Sequence, residues 1–578
     1  MKKVLLFLFT SILSLPIFAQ VPAFEWGKHI GGTNDIRVWD NAFDSSGNAY
    51  VVGDFVGTID FDPDATGVQN RTSAGQQDSF VLKLDSQGNF IWVKTFGGSG
   101  IDLISRIVVD NFQNVYVSGR FQNSISFAPA GSTTSMGDYD GFLLKMDDDG
   151  TPVWYKKLSS TGIDFFLGLD VDSVGNVYAT ASYNGGVAEL GPGVVSNYGN
   201  AAQGFYDFLI VKLSSTGATL WAHKFGSNSN DVGYSVKLSD DDTKLVVTGY
   251  FRGIIDFDTA GSTIYNLSSV GNADSGLLYV IDSSAGFIFA KAFGNSTAAC
   301  ASYDATFDSA NNVFVTGRFA GTSGNFSPGV IANSNGGSGF DAFVAKYDIA
   351  GNYQWVKSFQ GIGSGTNEQG SGIDVDNLGN VYVVGTYNSF GGLDLDPSAA
   401  TVSVPNHGST AGTSDVFVAR LDTNGNYSWG ASFTNSNNND DAWGINVDDN
   451  YNILLSGYFN ATQIDLNPLP YAGDQLVTGN VNGSNDIFIT KLSQQSLSNS
   501  SFDISKTVRV YPNPVTDVLK IESENEIKEV KLYNYTGQEI NIQFFNNSVN
   551  VSSLSQGIYI LKIIATNGEY LNHQFIKK

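Results

Sequence analysis

The chain has 578 residues, with 56 Asp and Glu against 31 Lys and Arg, a formal net charge of −25. That acid excess argues against nucleic acid and anionic lipid as partners and is compatible with divalent cations, neutral glycans or simple solubility. Sixty-five glycines, 13% aromatics and only 15% charged residues suit an all-β protein rich in turns, not a disordered or helical chain. A single cysteine, Cys300, cannot form an intramolecular disulfide, so stability must come from packing; it reads as a small loop residue rather than a reactive thiol.

The amino terminus reads as a secretory signal over residues 1–19. Lys2 and Lys3 precede an apolar run from Val4 to Leu15, and Ile17-Phe18-Ala19 offers a small residue before a cut near Gln20. The run is too short to span a bilayer, and no Cys follows the cut to carry a lipid. No other long apolar segment follows, so the mature protein is expected to be soluble or tethered from outside.

From about residue 24 to residue 493 one module recurs seven times. Its opening aromatic is Trp26, Trp92, Trp154, Trp221, Phe289, Trp355 and Trp429. Its turn acid is Asp44, Asp110, Asp172, roughly Asp240, Asp308, Asp376 and Asp448. A third anchor is Asp78, Asp140, Asp207, Asp274, Asp341, Asp415 and Asp486. Repeats of this length indicate a propeller, solenoid or array. Within one copy, Ser105–Asp110, Asn114–Phe121, Asp140–Met146 and Thr151–Leu158 read as four strands bounded by Gly, Asn and Asp. The turn acids can accept backbone N–H bonds, while Gly and Asn tolerate positive φ, so these acids read as turn chemistry. The chain begins on a fourth strand near Phe24–Ile30 and ends the repeats on a third strand, Asp486–Leu492. Pairing the two closes the ring and removes an open edge. The expected fold is therefore all-β: a seven-bladed β-propeller of four-stranded blades, its last blade completed by the N-terminal strand, followed by a small Ig-like β-sandwich.

Candidate site residues lie where the copies differ. Trp39 and Trp443 each stand five residues before a turn acid, near the channel end of the first strand, and Tyr303 shares the position; Ser105, Leu167 and Ser371 hold it elsewhere. Ring closure would bring Trp39 near Trp443, as seam packing or as a ligand platform. The loops before the first strands repeat an acid, Asp35, Asp102, Asp164, Asp231 and Asp440, readable as a carboxylate ring at the channel mouth or as loop braces. Asp60, Asp62 and Asp64 alternate as calcium ligands can, but Ala65 and Arg71 replace the Gly and Glu of an EF-hand loop. Calcium is the one cofactor these residues could hold. The four histidines, His29, His223, His407 and His573, have no metal-ligand spacing, and no nucleophile elbow or phosphate-binding glycine loop is present. Paired carboxylates for glycoside chemistry remain open, since sequence supplies no distances.

The run Asp308-Ser309-Ala310-Asn311-Asn312-Val313-Phe314-Val315-Thr316-Gly317, with Asp341-Ala342-Phe343-Val344-Ala345-Lys346-Tyr347-Asp348, resembles the bacterial SBBP β-propeller repeat over residues 24–493. Two copies depart: Leu238 to Phe251 lacks Gly-Asn, and Ala181 stands where others have Gly. The resemblance implies an extracellular surface protein and no catalytic residue. After a polar linker, 494–505, the motifs Tyr511-Pro512-Asn513-Pro514, Gly557-Ile558-Tyr559 and the terminal Lys577-Lys578 make residues 506–578 similar to the type A C-terminal sorting domain of the type IX secretion system. That implies the secretion machinery as partner, passage to the outer surface, and removal of the domain, often with attachment to a surface glycolipid. The expected protein is a non-enzymatic scaffold, secreted or at the cell surface, binding glycan or protein. A polysaccharide-acting enzyme and a purely structural surface component are the alternatives.

Overall fold

The computed structural model describes residues 21–494, except 65, 186–187, 191–204, 259–263, 296–297, 322, 328–329, 334–338, 363–366, 390, 399, 406–412, 434–438, 461–462, 468, 470–475 and 480–483. It also describes residues 508–578, except 524–526, 535–538, 546 and 566–569. The expected signal segment and most of the linker lie outside the described residues. The chain is all-β, and it divides into two compact units, 1–494 and 495–578.

Among the described residues the first unit holds five two-stranded hairpins and seven larger antiparallel sheets built on four strands, in sequence order in sheets 1 to 6. Sheet 1 comprises Ile36–Phe43, Ala49–Phe55, Asp78–Leu84 and Phe90–Phe96. The first strands of sheets 2 to 6 are Leu103–Val109, Asp164–Val171, Val232–Leu238, Cys300–Phe307 and Glu368–Val375. Sheet 7 takes Asp441–Val447, Asn452–Phe459 and Asp486–Ser493 from the end of the unit and Ala23–Ile30 from its beginning, the latter antiparallel to Asp486–Ser493 with His29 opposite Phe488.

Each first strand contacts the first strand of the next sheet, and Ile36–Phe43 of sheet 1 contacts Asp441–Val447 of sheet 7. The apolar core follows the same cyclic order, in seven clusters each shared by two neighbouring sheets. Sheet 7 contributes Leu454, Ile487 and Ile489 to the cluster it shares with Ile36, Val38 and Phe80 of sheet 1. A strand buried on both faces needs a partner on each side, and Ala49–Phe55 is buried along its whole length.

The repeated anchors are the devices that join one sheet to the next. Trp26 of sheet 7 donates its indole N–H to the Ser86 carbonyl of sheet 1 at 3.0 Å; Trp92, Trp154 and Trp355 do the same to Asp148, Ser215 and Thr423. Each ring lies on a turn glycine of the following sheet. A Cβ on Gly88 would stand 2.9 Å from Trp26. Among the described residues, the indole nitrogens of Trp221 in sheet 3 and Trp429 in sheet 6 have no such partner.

The Asp-x-x-x-Asn turns behave as their chemistry predicts. Asp44 Oδ1 accepts Ser46 N and Asn48 N at 2.9 and 3.0 Å, and Oδ2 accepts Asn48 Nδ2 at 2.8 Å. In sheet 4 the anchors shift. Ser239, not Asp240, closes the turn, accepting Asp242 N through its carbonyl at 2.9 Å. Ser275, not Asp274, opens the third strand opposite Phe251. A hydroxyl accepts the same local N–H groups as a carboxylate (Ser239 Oγ takes Lys244 N at 3.0 Å), so the turn survives the change.

In the second unit, one sheet holds Val508–Tyr511, Val518–Ser523, Ser548–Asn550 and Phe544–Phe545, and the other holds Glu539–Ile540, Ile527–Asn534, Gly557–Ala565 and Tyr570–Lys577. Leu519 and Ile521 of the first and Leu532, Leu561 and Phe575 of the second share one core.

Candidate functional site: an aromatic cavity where the first strands converge

The first strand of every sheet carries a β-bulge at one position. The register slips at Trp39, Ser105, Leu167-Gly168, Tyr234, Tyr303, Ser371 and Trp443. A bulge leaves a residue unpaired and re-aims its side chain. It also pushes a carbonyl toward the second strand, and this explains a repeated glycine there. A Cβ on Gly53 would lie 1.8 Å from Arg37 O, and one on Gly385 would lie 1.9 Å from Gln369 O. Sheet 3 has Ala181 at this place, and there the irregularity spans two residues instead of one.

Four of the bulged residues are aromatic, and together they form one chain of rings. Trp39 meets Trp443 at 6.4 Å, Trp443 meets Tyr303 edge-on at 5.8 Å, and Tyr303 meets Tyr234 at 5.2 Å. Tyr250 continues it at 5.7 Å from Tyr234. Beside these rings opens a cavity of about 450 Å³, lined by Trp39, Trp443, Tyr234 and Tyr250, by Phe165 and Tyr206, by Leu103 to Arg106, and by Arg120, Leu167 and Val232. This volume lies in the range of small-molecule sites. The structure thus brings Trp39, Tyr303 and Trp443 together, with Tyr303 buried behind the wall. Tyr234 was not singled out in the sequence. Counting back five from Ser239, the residue that makes the turn, would have found it.

Two carboxyls lie beneath the rings. Asp54 is buried and accepts hydrogen bonds from Trp39 Nε1 and Gln77 Nε2; burial lifts it to about 6 despite those bonds. Asp441 accepts the Tyr458 hydroxyl at 3.2 Å and is likewise raised by burial to about 6, with the Trp443 indole and the Tyr458 hydroxyl opposing. Asp54 had a signal, an acid inside an otherwise apolar strand.

Deeper along the first strands, acids tie neighbouring sheets together. Asp40 accepts Ile107 N at 3.0 Å, Asp170 accepts Leu238 N at 2.7 Å, Asp304 accepts Ile373 N at 3.2 Å and Asp374 accepts Val447 N at 2.7 Å. Lys237 sits among them, and its ammonium is held above its ordinary range by these four carboxylates against the cost of burial.

The loop acids occupy a different place. Asp102 accepts Gly98 N at 2.8 Å, Asp164 accepts Ser160 Oγ at 2.6 Å, Asp231 accepts Arg252 N at 3.0 Å and Asp440 accepts Asn460 N at 3.1 Å, all four buried. Burial lifts Asp102 and Asp164 to about 7 and Asp231 to about 6. Asp35 is displaced by one residue from this register, where Ile36 stands, and its carboxylate takes Asn485 N at 2.7 Å and Arg37 at 3.4 Å. Cys300 and Glu368 fill the position in sheets 5 and 6. Burial pushes the Cys300 thiol up to about 12, which suits an inert core residue. None of these acids lines the cavity.

Asp60 and Asp62 close their own hairpin. Asp60 Oδ1 accepts Asp62 N and Gln69 N at 3.2 and 2.7 Å, and Asp62 Oδ1 accepts Asp64 N at 3.0 Å. Asp256 and Asp394 make the same pair of bonds in sheets 4 and 6. Among the described residues no group of three His, Cys, Asp or Glu is placed to hold a metal ion.

In the second unit, the Tyr511-Pro512-Asn513-Pro514 segment ties down the last strand. Asn513 Oδ1 accepts Ile576 N at 2.9 Å, Val515 N donates to Ile576 O at 2.8 Å, and Lys578 N donates to Val515 O at 2.9 Å. Tyr559 follows Gly557 in the central strand and stacks on Phe575 at 5.7 Å, while Lys577 is buried and Lys578 exposed.

Comparison with known proteins adds the following. Over 263 residues the chain is 25% identical to an uncharacterized WD repeat-containing protein of Acanthamoeba polyphaga mimivirus, covering 40% of this chain and 19% of that protein. Over 73 residues it is 36% identical to beta-agarase D of Zobellia galactanivorans, covering 12% and 15%. The chain therefore spans under a fifth of the length of either relative. A solved structure of a Bacteroides caccae protein of unknown function is 7% identical, covering 61% of this chain and 89% of that one, with a TM-score of 0.31, too low to bear on fold or activity. Residues 509–578 match the secretion system C-terminal sorting domain, which implies recognition by the type IX secretion machinery and export to the cell surface or the extracellular space.

Proposed function

We propose that this protein is a surface or secreted binding protein, carried out by type IX secretion, whose first unit is a closed seven-bladed β-propeller of SBBP-type repeats that holds a glycan at its axial cavity. In this reading residues 1–19 are the signal peptide, 24–493 the propeller, 494–505 the linker and 506–578 an Ig-like sorting domain. The cyclic contacts of the seven sheets and the strand exchanged at the seam support the closed ring. Such closure leaves no sheet edge exposed.

The observation that carries the glycan reading is the convergence of bulge-borne rings on one cavity. Rigid aromatic faces offer a sugar's C–H groups a large apolar contact at little entropic cost, and the hydroxyls of Tyr206, Tyr234 and Tyr250 supply polar partners. The role is non-catalytic: hydrolysis by paired carboxyls needs two acids facing the substrate, whereas Asp54 and Asp441 are engaged beneath the rings. The test is an oligosaccharide array followed by calorimetry with the wild type and Trp443→Ala. We expect at least one saccharide to bind and the variant to lose tenfold or more while keeping the wild-type circular dichroism spectrum. Reducing-end release from a polysaccharide would overturn the non-catalytic reading, and binding unaffected by Trp443→Ala would remove the cavity from it.

A further inference from the structure

We propose that the saccharide bound in this cavity is acidic, its carboxylate or sulfate gripped by Arg106 and Arg120 while its sugar face lies on the rings. This rests on the glycan reading and adds the charge of the ligand. The chain carries 56 acids and only eight arginines. Yet the thirteen residues of the cavity wall include two arginines and no acid.

Three other arginines of the first unit have a carboxylate within 4 Å: Arg37 has Asp35, Arg252 has Asp274 and Arg420 has Asp376, whereas Arg318 lies on the Phe340 ring. Among the described residues, neither Arg106 nor Arg120 has a carboxylate within 4 Å. Asp40 attracts Arg106 electrostatically from beyond that distance, and its carboxylate accepts Ile107 N at 3.0 Å. Among the described residues Arg106 makes one long bond, 3.4 Å, to the carbonyl of Ser105. Arg120 is held by rings, 5.0 Å from the centre of Tyr139 and 5.9 Å from that of Phe165. Contact with ring faces fixes a guanidinium in place without consuming its N–H donors. The two groups come from adjacent antiparallel strands of one sheet, Leu103–Val109 and Val115–Phe121. Guanidinium donors pair with carboxylates and sulfates in a fork that an ammonium cannot make. Two guanidiniums on a cavity wall that holds no acid, in so acidic a chain, suit an anion that arrives with the ligand.

The test uses the mature full chain and matched pairs of oligosaccharides. Oligogalacturonides are compared with their carboxyl-reduced forms, and sulfated galactan oligosaccharides with their desulfated forms, by calorimetry and tryptophan fluorescence. We expect one acidic series to bind at least tenfold tighter than its neutral counterpart, more weakly as salt rises; which series it is distinguishes carboxylate from sulfate. Arg106→Gln and Arg120→Gln should each bring the ratio of acidic to neutral affinity down toward one. Arg120→Lys, which keeps the charge but not the fork, should recover part of the preference. Neutral and acidic forms binding alike, or arginine variants that leave the acidic preference intact, would overturn the charge assignment alone. No binding by the wild type to any member of either pair would overturn the glycan reading beneath it.

Discussion

Replacing Gly88 by alanine tests whether the seventh sheet docks on the first as the other sheets dock on one another. Gly88 has φ +80°, and an added Cβ would stand 2.7 Å from Lys28 Cε and 2.9 Å from two atoms of the Trp26 ring. Gly47 is the matched control. Its φ is +76°, but an added Cβ would meet only Ser86 Cβ at 3.7 Å, an ordinary contact. The left-handed backbone costs an alanine about 1–2 kcal/mol at either place. A stiffer unfolded chain returns roughly 0.4–1 kcal/mol of that. At Gly88 alone the crowding of a packed ring adds about 1–3 kcal/mol. If Trp26 moves to relieve it, the 3.0 Å bond from its indole to Ser86 O is lost. Gly88→Ala should therefore destabilise by about 2–4 kcal/mol and Gly47→Ala by about 1 kcal/mol. Urea unfolding followed by tryptophan fluorescence measures the difference. Equal losses in the two variants would refute the docking of Trp26 on this turn, and with it the seam.

The remaining predictions concern buried acids. The folded-state values of Asp102 and Asp164, about 7, and of Asp231, about 6, lie above the ordinary carboxylate value, because burial disfavours the charged form. Between pH 4 and 7 the folded chain thus keeps protons that the unfolded chain has released, so the stability these three groups contribute is full below about pH 4 and falls as pH rises toward 7. The melting temperature should be higher at pH 5 than at pH 7.5, and Asp102→Asn should flatten that slope; a melting temperature rising over the same interval would contradict it. Asp374→Ala strips the acceptor from Val447 N and should cost about 1–3 kcal/mol in urea unfolding. Asp374→Asn, which keeps a carbonyl oxygen there, should cost less, and the reverse order would show that charge near Lys237 matters more than the hydrogen bond.

The repeat was legible because its anchors do local or nearest-neighbour work. An Asp that closes its own turn, or a Trp that lies on the next turn glycine, is needed once per sheet and so recurs at a fixed interval. Even the Gly after the fourth strand has a local cause: a Cβ on Gly97 would stand 2.2 Å from Asp78 Cγ, so the acid and the glycine recur together. What could not be read were the places where the anchor itself changes. Taking Asp240 instead of Ser239 as the turn residue of sheet 4 moved the register by one and hid Tyr234. The loop acids show a second limit. Their spacing is regular, but whether a carboxylate points to a channel mouth or into its own loop depends on backbone N–H groups that come into range only after folding. Arg106 and Arg120 carried no sequence signal, since an arginine lacking a partner is defined by what surrounds it in space.

A bulge repeated in every first strand gives each sheet one side chain aimed toward the convergence of the strands, and identical side chains would fill that space evenly. They are not identical. Sheets 1, 4, 5 and 7 present Trp39, Tyr234, Tyr303 and Trp443, whereas sheets 2, 3 and 6 present Ser105, Leu167 and Ser371. Sheets 2 and 3 are neighbours, so their smaller residues leave adjoining space on one side of the aromatic chain. The cavity opens there, with Ser105 and Leu167 in its wall and Arg106, Arg120 and Phe165 supplied by the same two sheets. The bulge therefore sets where a side chain can act, and its variation from sheet to sheet sets the shape. A scaffold whose every internal contact repeats can distinguish one direction from another only at a position that packing does not require to repeat, and the bulged residue is such a position.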